Sequence, residues 1–142
     1  FRMQELSAIL GISQMLRVDE FVEKRNILAD RYYQNLKDLE TLKCPNEYLS
    51  NSQVHSWWQY MVVLSNNINR TGLASKLLER NIPTANAYWP ACHEQPVLKQ
   101  YAIKEYPVAD DILNRHLALP MYVEMTLEQV DYVCNKIKNI IY

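Results

Sequence analysis

The run Trp57-Trp58-Gln59-Tyr60-Met61-Val62-Val63-Leu64 constrains the fold more than any other stretch of this chain. Aromatic and β-branched side chains at that density suit a buried strand, and nothing else in the sequence matches it. One strong strand among helical patterns predicts a small sheet. Upstream, Leu6, Ile9, Leu10, the small Ser13 and Leu16 step by three and four residues. Val18, Phe21, Val22, Leu28, Ala29, Tyr32, Leu36 and Leu39 continue that period through charged sequence, as two helices or one bent helix. Gly11 inside the first helical pattern costs about 1 kcal/mol relative to Ala, which predicts a neighbour packed closely against it.

Downstream of Lys43, Pro45 and the polar residues Asn46 to Gln53 read as a loop. After the strong strand, Asn66-Asn67 turns the chain, and Asn69 or Thr71 caps a short helix carried by Leu73, Leu77 and Leu78 and ending near Asn81. Pro83 to Tyr88 reads as a further strand. Pro90, Pro96 and Pro107 then break up the stretch from Trp89 to Pro107, the one long irregular segment, and segments of that kind carry function or move. Ala109 to Arg115 is expected to be a short helix, and His116 to Leu119 a short strand stopped by Pro120. Thr126 and Gln129 have capping-box spacing and open a last helix with Val130, Val133, Cys134, Ile137, Ile140 and Ile141 on its apolar face. Strands are too few for a doubly wound sheet, so an α+β fold is expected, a small sheet covered by helices.

Composition removes several functions. With 15 Lys and Arg against 16 Asp and Glu, the chain has no basic excess for nucleic acid. Its two glycines, Gly11 and Gly72, cannot build a Gly-rich phosphate cradle. The three cysteines, Cys44, Cys92 and Cys134, are odd in number and irregularly spaced, the pattern of reduced thiols in a cytoplasmic protein. Cys92-His93 has no second Cys/His pair at ligand spacing, so no metal is expected. The apolar runs fall well short of the ~20 residues a bilayer requires, so no membrane contact is expected. Asn69-Arg70-Thr71 fits a glycosylation sequon that has meaning only in a secreted chain. The start at Phe1-Arg2-Met3, with a helical pattern already under way, leads us to expect a missing upstream part.

Four stretches, in order, resemble the C-terminal portion of the DegT-type aminotransferases. Phe1-Arg2-Met3-Gln4-Glu5-Leu6-Ser7-Ala8-Ile9-Leu10-Gly11 is similar to the family's Asn-Tyr-Arg-Met segment, with Phe for Tyr. Val18-Asp19-Glu20-Phe21 and the run from Arg25 to Tyr32 resemble its long charged helix. Ala87-Tyr88-Trp89-Pro90-Ala91-Cys92-His93-Glu94-Gln95-Pro96, with Tyr101, resembles the Tyr-x-Pro-x-x-His-x-Gln-Pro loop, and Asn81-Ile82-Pro83 stands where the family usually has Gly-Ile. Leu117-Ala118-Leu119-Pro120-Met121 and Thr126-Leu127-Glu128-Gln129-Val130 are similar to its closing elements.

This resemblance implies a fold-type-I enzyme using pyridoxal 5'-phosphate to move an amino group from a donor such as glutamate to a nucleotide-linked keto sugar, as a homodimer. Residues 1–40 would connect from a missing cofactor-binding domain, and 41–142 would form the small C-terminal domain, an antiparallel sheet covered by helices. The cofactor's lysine would lie upstream, so this chain would hold no catalytic residue: Lys24, Lys37, Lys76 and Lys136 sit among charges at exposed-looking helical positions. Arg2 would reach the partner subunit's cofactor phosphate, or else stand in solvent at a helix start. His93 would contact the sugar nucleotide, or make only a structural hydrogen bond. Tyr88 and Trp89 would stack on a base or sugar, or anchor the core. His55 and His116, each isolated, are expected to be structural. A regulatory relative that binds a sugar nucleotide without turnover, and an unrelated α+β interaction domain, are the alternatives.

Overall fold

A computed structural model describes residues 2–48 and 54–142. The fold is α+β, built on a three-stranded antiparallel sheet in the order β1 (Leu42–Lys43), β2 (Tyr60–Leu64), β3 (His116–Leu119). Leu42 pairs with Leu64 on one side of β2, while Tyr60 pairs with Leu119 and Val62 with Leu117 on the other. Alternation puts Tyr60, Val62 and Leu64 on one face, all buried, and leaves Met61 and Val63 half-buried.

Among the described residues, five helices accompany the sheet: α1 (Glu5–Met15), α2 (Val18–Leu36), α3 (Arg70–Leu78), α4 (Pro107–Arg115) and α5 (Leu127–Ile141). The expected pattern of α2 becomes core at Leu28, Ala29, Tyr32 and Leu36, and that of α5 at Val130, Val133, Cys134 and Ile137. These two helices pack on each other, α5 packs on α3, and α3 on β3. Tyr32 joins the helical layer to the sheet by stacking on Tyr60 at 4.8 Å, and its hydroxyl donates to the Pro120 carbonyl at 2.9 Å. Tyr60 donates to Asn46 Oδ1 at 2.8 Å. Burial pushes both phenols well above their ordinary pKa, so each stays a neutral donor.

Helix ends follow local chemistry. Asn69 Oδ1 accepts from the Gly72 amide at 2.9 Å, selecting Asn69 over Thr71 as the cap of α3. Thr126 and Gln129 form the reciprocal capping box of α5, at 3.3 and 2.9 Å. At the far end of α3 the amide of Ile82 donates to the Leu77 carbonyl at 3.0 Å and that of Asn81 to Leu78 at 2.9 Å, while Asn81 takes φ 59°. That pair of bonds around a left-handed residue is a Schellman stop. Across the helical layer, Arg31 of α2 grips Asp131 of α5 through both carboxylate oxygens at 2.7 and 2.6 Å, and Asn35 adds a bond at 2.7 Å.

Several expectations are corrected. The strand expected from Trp57 begins at Tyr60, because the groups of Trp57 are engaged elsewhere: its amide donates to His55 Nδ1, its carbonyl accepts from Arg25, and its indole donates to Asn26 Oδ1. With φ 47° its backbone is not extended. The strand expected at 83–88 reduces to one bridge, Ala85 opposite Ala118. Pro83 brings no amide proton, and Tyr88 is left-handed at φ 59°. β1, two residues long, has no counterpart among the expected strands. The long irregular segment contains two single 3-10 turns, Cys92–Glu94 and Lys99–Tyr101. α4 starts at Pro107 rather than Ala109, with the proline where its missing N–H costs nothing. Of the expected 45–53 loop, Pro45–Tyr48 is a 3-10 turn and 49–53 lie outside the described residues.

The largest difference concerns α1. It buries no residue: Leu6, Ile9 and Leu10 are all widely exposed. The close neighbour expected at Gly11 is not there, since a Cβ built on it would meet nothing within 4 Å. Among the described residues, no helix is long and apolar enough to cross a membrane.

Candidate functional site

Three of the residues singled out from sequence, Tyr88, Trp89 and His93, lie on the segment between Ile82 and α4. Its first part is pinned to the sheet by two bonds between Ala85 and Ala118, at 3.1 and 2.9 Å. Ala87 and Ala91 are buried, and the residues between them turn outward. Tyr88 is 66% exposed and Trp89 42%, which removes the reading of these two rings as core anchors. The Trp89–Pro90 peptide is cis. Beyond it the Ala91 amide donates to Glu94 Oε2 at 3.2 Å, closing the 3-10 turn that carries His93.

Two side chains from neighbouring helices hold this segment. The guanidinium of Arg70, at the start of α3, lies 4.8 Å over the Trp89 ring and donates to the Leu113 carbonyl of α4 at 2.8 Å. From the first turn of α4, Asp110 Oδ1 lies 2.7 Å from His93 Nε2. The His93 ring packs on Tyr106 at 4.8 Å, and the Lys104 ammonium lies 5.5 Å from the centroid of the same Tyr106 ring. Neither Arg70, Tyr106 nor Asp110 is picked out by the sequence as a site residue. Only the pairing of Arg70 with Trp89, cation with aromatic, follows from residue type, and nothing in the sequence says which arginine.

Beside the loop runs a shallow groove of about 310 Å³ lined by Trp58, Gln59, Thr84, Ala85, Ala118 and Met121, among others. Trp58 and Tyr88 are paired at 6.5 Å, both exposed. Gln59 Oε1 is buried, with no hydrogen-bond partner among the described residues. The exposed aromatic wall of Trp58 and Tyr88 suits the face of a ring-shaped ligand.

Arg2 stands apart. It precedes α1, is exposed, and no hydrogen bond, ion pair or ring contact joins it to Tyr88, Trp89 or His93. The histidines expected to be structural do make local bonds: His55 Nδ1 accepts from the Trp57 amide at 2.9 Å, and buried His116 uses Nδ1 on the Leu113 carbonyl at 2.9 Å.

A small antiparallel α+β unit with this loop on its surface is what the four sequence stretches implied. The model of the DegT/DnrJ/EryC1/StrS aminotransferase family matches residues 1–138, and the chain belongs to that family. It is similar to the GDP-perosamine synthase of Vibrio cholerae, 30% identical over 142 residues that cover 98% of this chain and 38% of that protein. The GDP-perosamine synthase of Escherichia coli O157:H7 is 26% identical over 137 residues, 96% of this chain and 36% of the relative. Among solved structures, a DegT DnrJ EryC1 StrS aminotransferase from Brucella abortus superposes with a TM-score of 0.86 at 27% identity, covering 98% of this chain and 36% of that one. The chain thus spans little more than a third of the length of these relatives.

Aminotransferases of this family use pyridoxal phosphate. Among the described residues, none is placed to hold that group covalently. Holding it covalently takes a desolvated lysine in a cavity, and every lysine among the described residues is exposed or half-exposed.

Proposed function

We propose that the protein carrying this chain is a pyridoxal-phosphate-dependent aminotransferase that moves an amino group from an amino-acid donor such as glutamate onto a nucleotide-linked keto sugar. It works as a cytoplasmic homodimer. Residues 1–40 lead from the cofactor-binding part, and 41–142 form the small C-terminal domain. When bound, the cofactor supplies the electron sink for the transfer. What this chain contributes is recognition: His93, Tyr88 and Trp89 on the substrate side, and Arg2 toward the phosphate of the partner subunit's cofactor.

The loop carries this reading. Within a chain matched by the family over residues 1–138, Arg70 and Asp110 hold the 88–93 segment while the Tyr88 ring and one edge of His93 stay outside the core. Rigid presentation of polar and aromatic groups is what sugar recognition requires, since it lowers the ordering cost of binding.

The test uses the intact protein with pyridoxal phosphate, glutamate and a panel of nucleotide-linked keto sugars. Release of 2-oxoglutarate with appearance of an amino sugar is the expected result, together with loss of sugar affinity in His93→Ala. Binding of sugar nucleotide without turnover would replace the enzyme with a regulatory relative. Borohydride fixation of the cofactor onto a lysine within residues 1–142 would overturn this division of labour.

A further inference from the structure

The bond between His93 and Asp110 differs in kind from those of the other two histidines. His55 and His116 each use Nδ1 on backbone groups two or three residues away, as local ties. His93 uses Nε2, on a carboxylate seventeen positions along the chain, at 2.7 Å. A carboxylate oxygen has only lone pairs to offer, so the nitrogen facing it carries the hydrogen. Tyr106, packed on the ring at 4.8 Å, helps keep the imidazole in the orientation that points Nε2 at this carboxylate. Its other nitrogen, Nδ1, has no hydrogen-bond partner among the described residues and is not among the buried polar atoms.

Asp110 is also unusual beside its neighbour. Asp111, next along α4, is occupied by Arg115 one turn on, through both carboxylate oxygens. Asp110 makes no ion pair with a Lys or Arg, and His93 is its one side-chain partner among the described residues. The His93 side chain is 21% exposed and that of Asp110 42%, so the pair sits at the surface with one edge of the imidazole open.

We propose that Asp110 is a positioning residue for His93: by accepting from Nε2–H it holds the neutral imidazole in one tautomer and presents Nδ1 as a hydrogen-bond acceptor for a hydroxyl of the sugar ligand. This rests on the proposed function, in which His93 faces the substrate. A carboxylate that orients an imidazole through one nitrogen sets what the other nitrogen can do. An acceptor at Nδ1 selects a hydroxyl, which can donate, over a phosphate oxygen, which cannot.

The experiment compares the intact protein with Asp110→Asn, Asp110→Glu and, as a control on the same helix, Asp111→Asn. Nitrogen-15 spectra of the histidine rings, with the His93 signal assigned through His93→Gln, report the tautomer. In the uncharged ring, unprotonated Nδ1 and protonated Nε2 are expected in the wild type. Asp110→Asn, whose amide can donate as well as accept, should give mixed tautomers, and Asp110→Glu should restore one. Affinity for a sugar nucleotide should fall about fivefold to tenfold in Asp110→Asn, the size of one hydrogen bond, while affinity for the free nucleoside diphosphate and the behaviour of Asp111→Asn stay unchanged. An unaltered tautomer in Asp110→Asn, or an equal loss for sugar nucleotide and free nucleotide, overturns the proposal. Should the wild type bind no sugar nucleotide, the substrate reading fails and takes this one with it. A tautomer that nonetheless depends on Asp110 would show that the pairing was sound and its purpose was not.

Discussion

Asn81 offers the cleanest test of how this chain ends its helices. It sits after α3 with φ 59°, in the left-handed backbone region that favours glycine. The two bonds that close the helix are made by backbone atoms, from Ile82 to Leu77 and from Asn81 to Leu78, so they survive any substitution except proline. Asn81 is exposed, so little packing is lost with its side chain. What remains is the conformational term. A left-handed backbone costs an ordinary L-residue about 1–2 kcal/mol, and asparagine recovers part of that through its short polar side chain. Glycine avoids the strain but gives back roughly 0.5–1 kcal/mol in unfolded-state entropy. Asn81→Ala should therefore destabilise the protein by about 1 kcal/mol, a fall in Tm of about 3 °C, while Asn81→Gly stays within about 0.5 kcal/mol of the wild type. Asn81→Val, β-branched, should be worse than Ala. Urea and thermal unfolding of the three variants measure the order. An Asn81→Ala protein as stable as the wild type, or a glycine variant that loses as much as alanine, would refute the reasoning.

Other outcomes follow from single sites. Burial pushes the Cys134 thiol up to about 12, so at pH 8 a thiol reagent should modify exposed Cys92 and leave Cys134 untouched until the protein is denatured. Because that thiol ionises more readily unfolded than folded, its contribution to stability is intact below about pH 8.5 and is lost as pH rises toward the folded value. The hydrogen bond from Arg31 holds the Asp131 carboxyl below the usual carboxylate range, so its stabilisation is present above about pH 4 and is lost as pH falls through the folded value. A double-mutant cycle of Arg31→Met and Asp131→Asn should show coupling near neutral pH that disappears in strong acid. Ile137, 1% exposed at the heart of α5, should cost about 2–4 kcal/mol when truncated to alanine, read from the urea midpoint.

The helices were legible because their apolar residues repeat over several turns and their caps are chemical signatures: Thr126 with Gln129 stands where the sequence placed it, and of the two caps left open for α3 the structure uses Asn69. The strands were legible only in part. β2 announces itself by composition, but its first residue is set by which groups capture Trp57, and those come from Arg25, Asn26 and His55, far away or outside any periodic pattern. β1 is too short to show a period of two, and pairing with Val63 and Leu64 is what makes it a strand. For α1 the pattern correctly shows a helix, yet an apolar face does not name its partner, and the described residues supply none. The close approach expected at Gly11 fails for that reason.

The candidate site divides along the same line. His93, Tyr88 and Trp89 were picked out because the contiguous stretch that holds them resembles a family loop, within a proline-marked segment. Arg70 and Asp110, which hold that segment in place, lie well before and well after it and carry no motif of their own. Local sequence can therefore locate the groups proposed to touch a ligand, while the groups that orient them emerge only once α3 and α4 are folded against the loop. Asp110 and Asp111 make the point sharply. They are adjacent, identical in chemistry and both on α4, yet one is consumed by Arg115 a turn along the same helix and the other faces an imidazole across the loop. The difference is the roughly 100° that separates successive residues around a helix, and it decides which carboxylate can take part in recognition.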